Sequence, residues 1–166
     1  MEIRLSVSKE DVMKEVAVTT AYTGGKMDDD ANAYERISTV DEDEAHLERF
    51  WEECRADICQ ELIGLVTFEG MVADESQAGG SISRIGTVAG RYELRLEVSR
   101  SFDEALLPSM MLSLFSYFVQ GIAAKWYVYT NKKEAGEYAG KAGMLLEDIH
   151  RKAVYKKKPV RPTYDD

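Results

Sequence analysis

Residues 105–124 carry no charged side chain, and so long an apolar stretch has to be buried in protein or placed in lipid. The polar side chains of the run, Ser109, Ser113, Ser116 and Gln120, lie four, three and four residues apart, so on a helix they form one narrow stripe. The rest of the circumference is apolar and needs neighbours. About 20 such residues are enough to cross a bilayer. Pro108, the three serines, Gln120 and Gly121 within the run, and its end at Lys125-Trp126-Tyr127, favour a buried helix in a soluble assembly. Pro108 falls in the first turn, where a missing amide hydrogen is tolerated, and the helix is expected to reach about Tyr129 before Thr130 and Asn131 end it.

Other segments show their own periods. Ser8 is placed to cap a helix over residues 9 to about 22, with Asp11 at the capping-box position, Val12, Val16 and Thr19 or Thr20 inward, and Gly24-Gly25 at its end. Residues 26–40 read as a polar loop. A second helix is capped by Asp41, with Glu44 completing the box, and repeats Leu47, Phe50, Trp51, Cys54, Ile58 and Leu62 at spacings of three and four.

Between residues 66 and 99 the period changes to two. Tyr92, Leu94, Leu96 and Val98 alternate with Arg91, Glu93, Arg95 and Glu97, a half-buried strand with charge on its outer face. Residues 65–72 and 81–88 are its candidate partners. A last helix over residues 132 to about 155 turns Ala135, Tyr138, Ala139, Ala142, Leu145, Leu146 and Ile149 inward. Gly136, Gly140 and Gly143 weaken that helix by about 1 kcal/mol each relative to alanine, so close approach of another backbone is expected there. Beyond it, Lys156, Lys157, Lys158, Pro159, Val160, Arg161 and Pro162 predict an extended basic arm.

The expected fold is therefore mainly α, a helical bundle with an inserted small antiparallel sheet or long hairpin (α+β). Residues 1–155 form the helical domain with its β insertion at about 65–99, and residues 156–166 form the arm. A chain of 166 residues with 45% hydrophobic content suffices for such a core. The net charge of −9 is unevenly spread. Acids dominate residues 28–61, whereas Lys and Arg outnumber acids in residues 125–166, a split that suits head-to-tail association. Bulk acidity argues against general affinity for DNA phosphates. The N-terminus lacks the basic and apolar regions of a secretory signal.

Chemistry-bearing residues are sparse. Cys54 and Cys59 lie five apart on a helix, point to different sides and read as free thiols rather than a CxxC pair. His46, beside Glu42, Asp43 and Glu44, is compatible with a metal site but fits a solvated helix start better. His150 sits near a helix C-terminus, where a cation is favourable. Asp28-Asp29-Asp30 lacks the alternating ligands of an EF-hand loop, and the Gly79-Gly80 turn matches no phosphate-binding pattern. No catalytic residues, metal or cofactors are expected, and the chain does not read as an enzyme.

Two stretches carry a family resemblance. The acidic helix start Asp41-Glu42-Asp43-Glu44 leads to Leu47, Phe50 and Trp51, and a later apolar helix ends on Ala123-Ala124-Lys125-Trp126-Tyr127. Together they resemble the head-tail connector (adaptor) proteins of tailed bacteriophages and prophages. The last helix, followed by a basic, proline-bearing arm, is similar to that of small virion proteins of the same kind. The likeness covers residues 41–63 and 102–162, as a pattern of helix types rather than of fixed residues. The strand-rich stretch and the first helix are additions to a minimal connector, and they fit other neck or tail-terminator positions too.

The resemblance implies a non-enzymatic structural protein of the virion head-tail junction, assembled in the host cytoplasm. It would form a homo-oligomeric ring bridging the portal protein and other neck or tail proteins. DNA would pass through without sequence-specific binding, and no membrane is involved. Lys156, Lys157, Lys158 and Arg161 are the partner-binding candidates. The alternative from the residues themselves is a small DNA-binding or regulatory protein using this basic tail and the aromatics near Trp126, where bases stack while lysines hold phosphates.

Overall fold

The computed structural model describes residues 1–25, 39, 43–73 and 90–157. Among them are four α-helices and a three-stranded antiparallel sheet, an α+β fold that is mainly helical. In chain order these are β1 (Glu2–Ser8), α1 (Lys9–Gly25), α2 (Glu44–Glu61), β2 (Val66–Ala73), β3 (Gly90–Glu97), a single 3-10 turn (Glu104–Leu106), α3 (Leu107–Thr130) and α4 (Lys132–Val154).

β3 is the middle strand, paired with β1 on one side and β2 on the other. Tyr92, Leu94 and Leu96 are buried as the alternation requires, but Glu93, expected on the outer face, is buried as well, covered by its ion pairs with Arg4 and Arg95. The partner on the β1 side comes from the chain start, where Ile3, Leu5 and Val7 alternate inward. The Met1 ammonium donates to the Val98 carbonyl at 3.0 Å, and the Val98 amide donates to the Met1 carbonyl at 2.8 Å. The sheet is thus larger than a hairpin inserted between helices. Residues 81–88, the other expected partner, lie outside the described residues.

α3 is the central packing helix. It touches α1, α2, α4 and β1, and it buries Met110, Leu114, Phe118, Ile122 and Tyr127 completely. Trp51 of α2 stacks on Phe118 at 4.1 Å between ring centroids, and Tyr92 of β3 meets both rings edge-on. This aromatic trio ties helix, helix and sheet into one core. α3 is long and apolar enough to cross a membrane, but here its apolar surface serves as the hub of the fold.

Several local expectations hold. The Asp11 amide donates to Ser8 Oγ at 3.2 Å, which caps α1. Thr20 rather than Thr19 is the inward threonine. Phe50, Trp51, Cys54, Ile58 and Leu62 are all buried.

Others need correction. α2 begins at Glu44 with Asp43 as its cap residue, whose backbone is already helical (φ −87°, ψ 0°), so its side chain makes no capping bond. Asp41 and Glu42 lie outside the described residues. Ala139 is exposed, and a Cβ at Gly136, Gly140 or Gly143 would meet open space. The expected close approach of another backbone is therefore absent at these three glycines. The close approach occurs instead at Gly121 of α3, where a Cβ would stand 2.9 Å from Cys54 Sγ.

Candidate functional site: the two ends of the α3–α4 pair

The serine stripe of α3 runs along the seam with α4, with Ser113 buried and Ser109 exposed at its edge. Ser113 donates to Asp148 Oδ2 at 3.0 Å, and Lys152 Nζ donates to Ser109 Oγ at 2.6 Å while also pairing with Asp148. Arg151 reaches the other carboxylate oxygen at 2.7 Å. Burial works to raise the Asp148 carboxyl, but the bonds from Lys152, Arg151 and Ser113 outweigh it and hold it below the usual carboxylate range. Gln120, at the far end of the stripe, keeps a buried, unpaired Oε1.

This ladder sets α3 and α4 antiparallel, with residue 113 level with 148 and 109 level with 152. The root of the basic arm consequently emerges beside the start of α3. There the Lys157 amide donates to the Ser101 carbonyl at 3.0 Å, and Lys157 Nζ stands 3.8 Å from Asp103 Oδ2. Lys156 and Lys157 are both exposed. Of the four partner-binding candidates, these two are brought together at a fixed root, and Lys158 and Arg161 lie outside the described residues.

The other end of α3 meets the start of α2 in a pocket of about 300 Å³ lined by Asp43, His46, Arg49, Phe50, Trp126, Tyr129 and Thr130. Tyr129 stacks on Phe50 at 6.2 Å, and the Arg49 guanidinium lies 5.0 Å from the Phe50 ring. The aromatic run at the end of α3 divides by depth. Tyr127 is wholly buried and donates to Thr23 Oγ1 at 2.9 Å, Trp126 is nearly buried, and Tyr129 is 70% exposed. Sequence spacing alone did not separate Tyr129 from its core neighbours.

The acidic flank of α2 is partly neutralised from within: Lys125 lies 3.3 Å from Glu53 and 3.5 Å from Asp57, and Lys9 is 2.6 Å from Glu48. His150 Nδ1 is 3.6 Å from Glu61. His150 thus faces the carboxylate of another helix rather than only the end of its own. Arg55 grips Glu69 of β2 through Nε at 2.5 Å and Nη2 at 3.0 Å, and that hydrogen bonding raises its already high pKa.

Burial pushes the Cys54 thiol up to about 12, so it is protonated at neutral pH and inert as a nucleophile. Cys59 is half-buried, and burial raises its thiol as well. Among the described residues no three His, Cys, Asp or Glu side chains gather in a geometry able to hold a metal ion. Comparison with protein-family models, with curated proteins and with solved structures finds no match for this chain.

Proposed function

We propose that this chain is a structural protein of a tailed-phage virion, forming a ring at the head-tail junction that bridges portal and tail components. The observation that carries the reading is the placement of unlike surfaces at opposite ends of α3: an exposed aromatic pocket beside the acidic start of α2, and the root of a basic arm at the other end. Unlike, spatially separated patches favour heterologous contacts, which close into rings when the rotation between copies permits. Exposed Leu112, Val128, Tyr129 and Met144 add apolar surface on α3 and α4 for neighbours to cover. The resemblance of the acidic helix start and of the aromatic helix end to connector proteins is what favours the neck as the position of such a ring.

The test is co-sedimentation of the full-length protein with its portal, followed by imaging of virions labelled through this chain. Label confined to the neck supports the proposal. Label absent from particles, or found only on free protein, overturns it.

A further inference from the structure

We infer that the free edge of β1 pairs with the same strand of a second copy of this chain, antiparallel and centred on Leu5, so that two three-stranded sheets join into one. The backbone decides which groups are available. Met1 and Val98 exchange both of their main-chain bonds, and from there the register runs from Glu2 opposite Glu97 to Ser8 opposite Arg91 without a shift. Hydrogen-bonded pairs alternate along an antiparallel ladder. Ile3, Leu5 and Val7 therefore direct their amides and carbonyls at β3, and those of Glu2, Arg4 and Ser6 point outward. The same alternation turns the Glu97 amide to the far side of β3, where it donates to the Leu65 carbonyl at 2.7 Å. Among the described residues β1 is an end strand, and no main-chain group meets its outward amides and carbonyls.

Sheets blunt such an edge with proline, lysine, inward charge or a bulge. β2, the opposite end strand, has a register shift between Val66 and Phe68. β1 has no shift, no proline, glycine or lysine, and its two charges, Glu2 and Arg4, lie on the exposed outer face. Its sequence is also complementary to itself in one register. Side chains directly opposite one another share a face of the sheet, so the two-fold axis between copies must fall on a residue. On Leu5 it sets Arg4 opposite Ser6 and Glu2 opposite Ser8, with Leu5 beside Leu5 and Ile3 beside Val7, which carries the buried apolar row across the junction. On Arg4 it would set that cation against itself, a destabilising pair. On Ser6 it would bring Ile3 opposite Lys9, where the strand has already become α1. The contact does not rest on the ring reading, because it uses the sheet edge and that reading uses the two ends of α3.

The experiment follows the full-length protein by sedimentation velocity. Arg4→Pro removes an outward amide hydrogen and none directed at β3, a position where a sheet tolerates proline. Circular dichroism matching the wild type establishes that it folds, and two Ser6 variants test the contact without proline. Ser6→Arg places a cation opposite Arg4 of the second copy, and Ser6→Glu places an anion there. Within its own chain residue 6 stands opposite Glu93, so stability shifts in the opposite sense from association. The wild type dimerises. The two-fold axis repeats every change, so Arg4→Pro and Ser6→Arg each weaken the dimer at least about tenfold, whereas Ser6→Glu does not. Oxidising a mixture of Arg4→Cys and Ser6→Cys chains, each also carrying Cys59→Ser, joins position 4 of one copy to position 6 of the other, since directly opposite α-carbons lie within disulfide reach. The inference is overturned by a monomeric wild type, by a folded Arg4→Pro chain as dimeric as the wild type, by Ser6→Arg and Ser6→Glu chains that dimerise alike, or by Arg4→Cys chains that cross-link to each other in preference to the mixture. If the edge contact fails while label on virions stays at the neck, the ring reading stands. A dimer with this register and no neck label keeps the contact and removes the location.

Discussion

The hydroxyl of Ser113, within the uncharged run of α3, donates to the carboxylate of Asp148 on the neighbouring helix at 3.0 Å. That one bond explains how a nearly all-round apolar helix sits beside a charged one. The serine stripe of α3 is matched to an Asp148, Arg151 and Lys152 cluster on α4, which fixes the register of the pair and the side from which the arm leaves.

Replacing Asp148 by Asn removes this pairing and is expected to cost about 1–3 kcal/mol at neutral pH, as for a hydrogen-bonded charge lost from a partly buried site. The folded-state pKa of Asp148 is lowered. Its contribution is therefore complete above the unfolded carboxyl value near 3.9 and is lost as pH falls through the lower folded value. Urea unfolding from pH 7 to pH 2 should show the wild type and the variant converging at the acid end.

Gly121→Ala places a methyl group 2.9 Å from Cys54 Sγ, and overpacking of this kind costs about 1–3 kcal/mol. Cys54→Ala in the same chain makes room, so the double variant should recover much of the loss. A thermodynamic cycle of the four proteins measures the coupling, and strictly additive costs would show that the contact is not the cause.

Thiol labelling should distinguish the two cysteines. With Cys54 buried and its thiol pushed up to about 12, a water-soluble disulfide reagent at pH 8 reacts with Cys59 well before Cys54. Equal rates on mass spectrometry of the labelled peptides would contradict the burial of Cys54.

Glu69→Ala leaves Arg55 without its two-point partner at a site where both side chains are mostly covered. A loss of about 2 kcal/mol is expected, toward the lower part of the range for broken buried pairs because some solvent reaches both groups. Glu69→Gln, which keeps a hydrogen-bond acceptor, should cost less in the same denaturation assay.

The helices were largely legible in the sequence because each carries a clear three-and-four repeat and a terminal signal, such as Ser8 before α1 and Pro108 at the start of α3. β3 was legible for the same kind of reason, through the alternation of Tyr92, Leu94 and Leu96. β1 was missed as a strand although Ile3, Leu5 and Val7 alternate just as cleanly. Seven residues at a chain end form a sheet only because β3 lies across the sequence to pair with them, and no local pattern reveals a distant partner. The glycines of α4 were misjudged because low helix propensity says nothing about which face a residue occupies. Of the candidate site, the basic arm was visible as composition. The pocket was not, since it joins Phe50 to Tyr129 across a long sequence separation, and its exposed member differs from buried Trp126 and Tyr127 only in direction around the helix.

Head-to-tail assembly is tested most directly by the molar mass of the full-length protein, followed by light scattering over a wide concentration range with and without the portal. The expected result is growth from monomer to a closed multiple that stops increasing and that dissociates as salt rises, since charged contacts join the copies. A monomer under every condition, including with the portal present, would contradict it.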